Sequence, residues 1–130
     1  MQAQVSAFPG GVRLAFSPQA LLKIARRVAE DQKGYDITVL DIRKISIIAD
    51  FFLICTGKST IHVKGIAREI IEEIEKETGL TPRTEGLREG RWVLLDYGGL
   101  VVHIFLDEER QFYNLERLWG DAAELNLAQL

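Results

Sequence analysis

The chain has 130 residues, the size of one ordinary domain, and its 47% hydrophobic and 27% charged residues describe a globular rather than a disordered protein. One cysteine, Cys55, excludes an internal disulfide, and no apolar run approaches the ~18 residues of a membrane-spanning helix. A net charge of −3 without a basic stripe excludes the counterion-displacing surface that nucleic-acid binding requires.

Residues 1–16, "MQAQVSAFPGGVRLAF", hold one Arg and no acid. They lack the charged start and long apolar middle of a secretory signal, so a disordered leader on a cytoplasmic protein is expected. Ser17 then predicts an N-cap, with Pro18 at the first helical position. Leu21, Ile24, Ala25 and Val28 recur at helical spacing, and Gly34 is the expected stop. "DITVLDI" (36–42) reads as a strand. "DFFLICT" (50–56) reads as a second strand, apolar on both faces and therefore central, with Cys55 a buried thiol.

Gly57 breaks that strand. A long amphipathic helix is predicted from Thr60 to Thr78, with Val63, Ile66, Ala67, Ile70, Ile71 and Ile74 inward and Arg68, Glu69, Glu72, Glu73, Glu75, Lys76 and Glu77 as its solvated side. Gly79 caps it. "LTPRTEGLREG" is a loop with room for a short edge strand, "RWVLLDYGGLVVHIF" a hairpin, and "DEERQFYNLERLW" a final helix or two short ones. Helix, strand, strand, helix, hairpin and helix together imply an α/β fold, a single domain with one mixed β-sheet packed by helices. The domain is expected over residues 17–122, with 123–130 as a C-terminal tail.

The hairpin carries the functional question. A two-residue turn at Gly98-Gly99 sets Tyr97 opposite Leu100, Leu95 opposite Val102 and Val93 opposite Ile104, all facing a core. On the other side Asp96 meets Val101, Leu94 meets His103 and Trp92 meets Phe105. Two readings of that second face stand. Helices cover both faces and Trp92 is buried, or the helices cover one face and Trp92 with Phe105 forms a recognition centre rimmed by Asp96 and His103. Charge favours a basic protein as the partner. Residues 91–130 carry three Lys/Arg against seven Asp/Glu, and six of the eleven aromatic residues lie between 92 and 119.

Catalytic motifs are weak. "CTGKST" imitates a phosphate loop, but a Walker motif needs a Gly where Phe52 stands. No Asp-x-Asp follows Ser59 to hold paired Mg²⁺ ions. His62 and His103 stand apart with no partners for a zinc site, and Ser59 with His62 at a helix start reads as a cap. No metal and no cofactor is expected, and no enzyme.

"DFFLICTGKSTIHVKGIA", "EG", "WVLLDYGGLVVHIF" and "FYNLERLWGDA", in that order, resemble the ribosomal silencing factor (Iojap-related) family over about Leu21 to Ala122. The resemblance implies a fold similar to nucleotidyltransferases without the catalytic carboxylates. It also implies binding to the large ribosomal subunit through its universal L-fourteen protein, a steric block of subunit joining, repression of translation, and a homodimer off the ribosome. Carried over, the partner-binding residues are Trp92, Leu94, Asp96, Tyr97, Gly98, His103, Phe105, Tyr113 and Trp119, with Phe112, Leu115, Glu116 and Leu118 completing the terminal motif. Asp96 and the run Asp107, Glu108 and Glu109 would steer docking. The family usually has Asp where this chain has Gly99, which removes a carboxylate from the hairpin tip and makes the turn more flexible. The rival readings are a nucleotide-transferring enzyme using Gly57, Ser59 and Asp96, and a dimerisation module.

Overall fold

The computed structural model describes residues 16–113 and 123–124, with side chains described as far as Arg110. The expected leader up to residue 15, and Trp119 with the rest of the 114–122 motif, lie outside the described residues.

Chain order is α1 (Pro18–Asp31), β1 (Tyr35–Asp41), β2 (Phe51–Gly57), α2 (Thr60–Thr78), β3 (Arg83–Glu85), β4 (Trp92–Asp96), β5 (Leu100–Leu106), α3 (Asp107–Tyr113) and β6 (Ala123–Glu124). Among the described residues these strands form one six-stranded sheet in the order β3-β4-β5-β2-β1-β6. The central pair, β2 and β5, is parallel, and every other pairing is antiparallel. The mixed sheet is therefore as expected. The edge strand β6 pairs with Leu40 and Asp41 of β1, a role that nothing in the sequence of the tail signals.

Capping chemistry sets the helix ends. Ser17 Oγ accepts the Ala20 amide at 3.1 Å, with Pro18 in the first turn. The stop of α1 differs from expectation, because Lys33, not Gly34, takes the left-handed conformation, with φ 67°. Gly34 is small for a different reason: a Cβ there would stand 3.0 Å from the Ala29 carbonyl oxygen and 3.6 Å from Cys55 Sγ. α2 begins at its Ser59 cap and ends at left-handed Gly79, both as predicted.

The apolar stripes of α1 and α2 pack on one face of the sheet, against Phe51, Leu53, Cys55, Val93, Leu95, Tyr97, Leu100, Val102 and Ile104. Each fully buried aliphatic side chain there contributes ~1.5–3 kcal/mol. Burial pushes the Cys55 thiol up to about 12, so it remains a protonated core group. The opposite face gathers a second cluster of Leu40, Ile42, Ala49, Phe52, Ile54, Val101 and Phe105, with Trp92 and Leu94 packed at its margin.

α3 lies against β5 and β2, and its Arg110 ties three strand residues together. The guanidinium donates to the Thr56 hydroxyl at 2.8 Å, to the Thr38 hydroxyl at 3.1 Å and to the Asp36 carbonyl. Thr56 is completely buried, so Arg110 satisfies a hydroxyl that would otherwise destabilise the interior. The same bonds hold an irregularity in β1, between Tyr35 and Thr38, where Asp36 has φ 49°.

Candidate functional site

The hairpin has the anticipated register: Trp92 opposes Phe105, Leu94 opposes His103 and Asp96 opposes Val101. Its turn differs in detail. Gly98 has φ 92°, while Gly99 is not among the positive-φ glycines, so only the first of the pair takes the left-handed region that a type I′ turn would need at both. The turn is also less free than expected. The Gly99 carbonyl accepts the amides of Asp50 and Phe51 at 2.7 and 3.0 Å, and a Cβ on Gly99 would fall 2.3 Å from Pro18 Cγ and 3.6 Å from Asp50 Oδ2. Gly99 thus admits the first turn of α1 against the hairpin tip. Gly99→Asp is expected to destabilise the fold by ~1–3 kcal/mol through overpacking. Less should be lost in a Pro18→Ala background, as read from paired urea unfolding curves.

Burial narrows the candidate surface. Trp92, Leu94 and Asp96 of β4 are half-buried, and β3 beside them is exposed. Phe105 and His103 are 0% and 4% exposed, so neither is a contact surface, and the expected recognition centre of Trp92 with Phe105 is corrected to the β4 margin alone. Tyr97 is likewise corrected: it is 6% exposed and lies in the core on the helix-covered face. Its hydroxyl has no described partner, and burial raises its pKa. Tyr113 ends α3 with its side chain outside the described residues.

Aromatic packing supports Trp92 from beneath. Its ring lies 4.8 Å from that of Phe105 at 31°, and its indole N–H donates to His103 Nδ1 at 3.1 Å. Burial pushes the His103 pKa down to about 4, so the imidazole is neutral at pH 7. The unfolded chain takes up this proton near pH 6.5 while the folded chain resists it to about pH 4. Stability is therefore expected to fall with acidification across that window, by up to roughly 3 kcal/mol. Urea unfolding of the native chain and His103→Phe at pH 7 and 4.5 checks this, the variant being less acid-sensitive by that difference.

The acidic groups are engaged within the fold. Burial alone would raise the Asp96 pKa, but the Arg83 guanidinium at 2.8 Å and the Gly98 amide at 2.8 Å outweigh it and hold the carboxylate ionised. Glu109 and Glu108 pair with Arg91 at 2.6 and 3.6 Å, and burial, helped by the Asp107 charge, raises the Tyr35 hydroxyl pKa. Arg83 and Arg91 thus neutralise part of the steering set expected from sequence, while the Glu108 side chain stays exposed. Sequence reading also passed over Ile45, Ile47 and Ile48 in the β1–β2 loop, which are 41, 103 and 70% exposed; the apolar run after Arg43 and Lys44 was their signal.

The Gly57-Lys58-Ser59 turn is a capping device. Ser59 Oγ accepts the His62 amide at 3.1 Å, and His62 Nδ1 accepts the Lys58 amide at 2.9 Å. His62 Nε2 donates to the Gln32 carbonyl at 2.8 Å, joining α2 to the end of α1. Among the described residues no three His, Cys, Asp or Glu side chains gather where they could hold a metal ion.

Comparison with known proteins places this geometry. Residues 15–130 match the family described as "Ribosomal silencing factor during starvation". The chain is 47% identical to the ribosomal silencing factor RsfS of Bacillus subtilis, over 80% of this chain and 88% of that protein. It is 35% identical to the chloroplastic protein Iojap of Arabidopsis thaliana, over 78% of this chain and 42% of that one. A crystal structure from Chromobacterium violaceum superposes with a TM-score of 0.78 at 34% identity, covering 81% of this chain and 88% of the other. One from Bacillus halodurans gives 0.72 at 40% identity, covering 83% and 98%.

Proposed function

We propose, for a chain that belongs to the family of ribosomal silencing factors during starvation, a repressor of translation that binds the large ribosomal subunit through its universal L-fourteen protein. It acts without turnover. Two bodies cannot occupy one surface, so the bound domain blocks docking of the small subunit by excluded volume. The functional unit is the domain expected over residues 17–122 together with the edge strand β6 that follows it, working in the cytoplasm and forming a homodimer when free of the ribosome.

One observation supports the placement of contact: a half-buried tryptophan, Trp92, stands on β4 beside exposed β3, backed by the buried rings of Phe105 and His103. Aromatic anchors of this kind dominate interface energetics. Leu94 extends the apolar strip, and Asp96 with Arg83 forms a polar rim. Gly98 keeps the turn closed above them, and Tyr113 and Trp119 extend the contact from the C-terminal segment. A specific complex would bury roughly 1,200–2,000 Å² in all, more than the β4 margin alone presents.

Sedimentation of purified protein with isolated large subunits, followed by addition of small subunits, tests the reading. Stoichiometric co-sedimentation and a lowered yield of joined ribosomes are expected. Failure to bind, or binding with undiminished joining, would overturn it.

A further inference from the structure

We propose that His103 is a positioning residue that sets the Trp92 ring for docking by accepting its indole N–H, an inference that rests on the silencing reading above. Trp92 opposes Phe105 across the β4–β5 pair, so His103, two residues earlier, is its diagonal neighbour. That spacing is within reach of long aromatic side chains. The Trp92 Nε1–H meets His103 Nδ1 at 3.1 Å.

The imidazole cannot swing away to offer Nδ1 elsewhere. Phe52 meets it edge-on at 4.7 Å and 66°, and Phe105 lies nearly parallel at 6.2 Å and 11°. His103 is 4% exposed, so its ring is held on both sides. Because Nδ1 accepts, the ring proton sits on Nε2, as its bonding partner assigns it. Nε2 is buried and has no partner among the described residues.

A buried donor without an acceptor is destabilising, and a phenyl or aliphatic group would fill this apolar cluster of Phe52, Ile54 and Phe105 without that defect. What the imidazole offers in return is one acceptor aimed at Trp92. A tethered indole keeps a single orientation before the partner arrives, and less freedom is then lost on binding. Interior chemistry thereby governs a surface anchor.

The test uses the full chain with three substitutions. His103→Phe keeps a ring and removes the acceptor; His103→Asn places an oxygen near the Nδ1 position; Trp92→Phe removes the indole N–H. The Trp92 indole proton is followed by ¹H–¹⁵N NMR in the free protein, its signal assigned by its loss in Trp92→Phe. In His103→Phe that signal should shift and lose protection from solvent exchange, and large-subunit affinity should fall about three- to tenfold. His103→Asn should recover much of both. In a Trp92→Phe background, His103→Phe should cause no further loss of affinity.

An unmoved indole signal, an unchanged affinity, or an equal loss in the Trp92→Phe background overturns the proposal. Should His103→Phe fail to fold, His103→Leu makes the same comparison. If the native chain itself does not bind large subunits, the silencing reading fails instead, and the NMR arm alone decides whether His103 sets the ring.

Discussion

Trp92→Ala is expected to weaken large-subunit binding by about thirtyfold or more, the effect of removing an interface anchor worth ~2 kcal/mol. The ring is half-buried on β4 and rests 4.8 Å from Phe105, so the substitution removes both a contact surface and some internal packing. The two effects separate experimentally. Affinity is measured by quantitative co-sedimentation at one fixed ionic strength, at a temperature where circular dichroism shows native chain and variant equally folded. Leu94→Ala, on the same strip, should weaken binding less, because the smaller side chain offers less area. A Trp92→Ala protein that is folded and binds within threefold of the native chain would move the docking surface away from β4.

Gly86→Ala is expected to destabilise the protein by ~3 kcal/mol. Gly86 has φ 77°, which L side chains rarely adopt, and a Cβ there would stand 2.0 Å from the carbonyl oxygen of Trp92. Left-handed strain contributes ~1–2 kcal/mol and overpacking a further ~1–3. The obstacle is main chain, so a rotamer change cannot relieve it, and the turn that sets Trp92 must deform. Gly65→Ala gives the opposite sign: Gly65 lies within α2 with nothing within 4 Å of its added Cβ, so a gain of ~0.5–1 kcal/mol is expected. Urea midpoints for the pair check both, and equal shifts would remove the steric argument.

Local patterns carried much of the fold. β2 reads as central because "FFLICT" has no polar alternation, and every residue of the strand is indeed buried. α2 is legible at both ends, where Ser59 and Gly79 are strong capping residues. The hairpin register follows from one glycine pair. What escaped depends on contacts distant in sequence. Nothing local reveals that Pro18 occupies the space beside Gly99, or that Arg83 engages Asp96.

The candidate site was legible by strand and face, less so by depth. Alternation put Trp92, Phe105 and His103 on one side, correctly. It could not show that Phe105 and His103 lie beneath that side's surface while Trp92 stands at its margin, because coverage of a sheet face is decided by the whole molecule. Tyr97 shows the converse: alternation pointed it into the core, where it lies under the helices, while its place in a family motif, which says nothing of direction, had carried it over as a contact.

The parallel pairing of β2 with β5 has a kinetic corollary. Phe51 meets Leu100 only after all of α2 and the β3–β4 segment have been made and folded back between them. Closure of so long a loop precedes any reward from the contacts it brings. Refolding should therefore be limited by assembly of the sheet's middle rather than by helix formation, and substitutions at Leu53 or Val102 should slow it more than substitutions in α1.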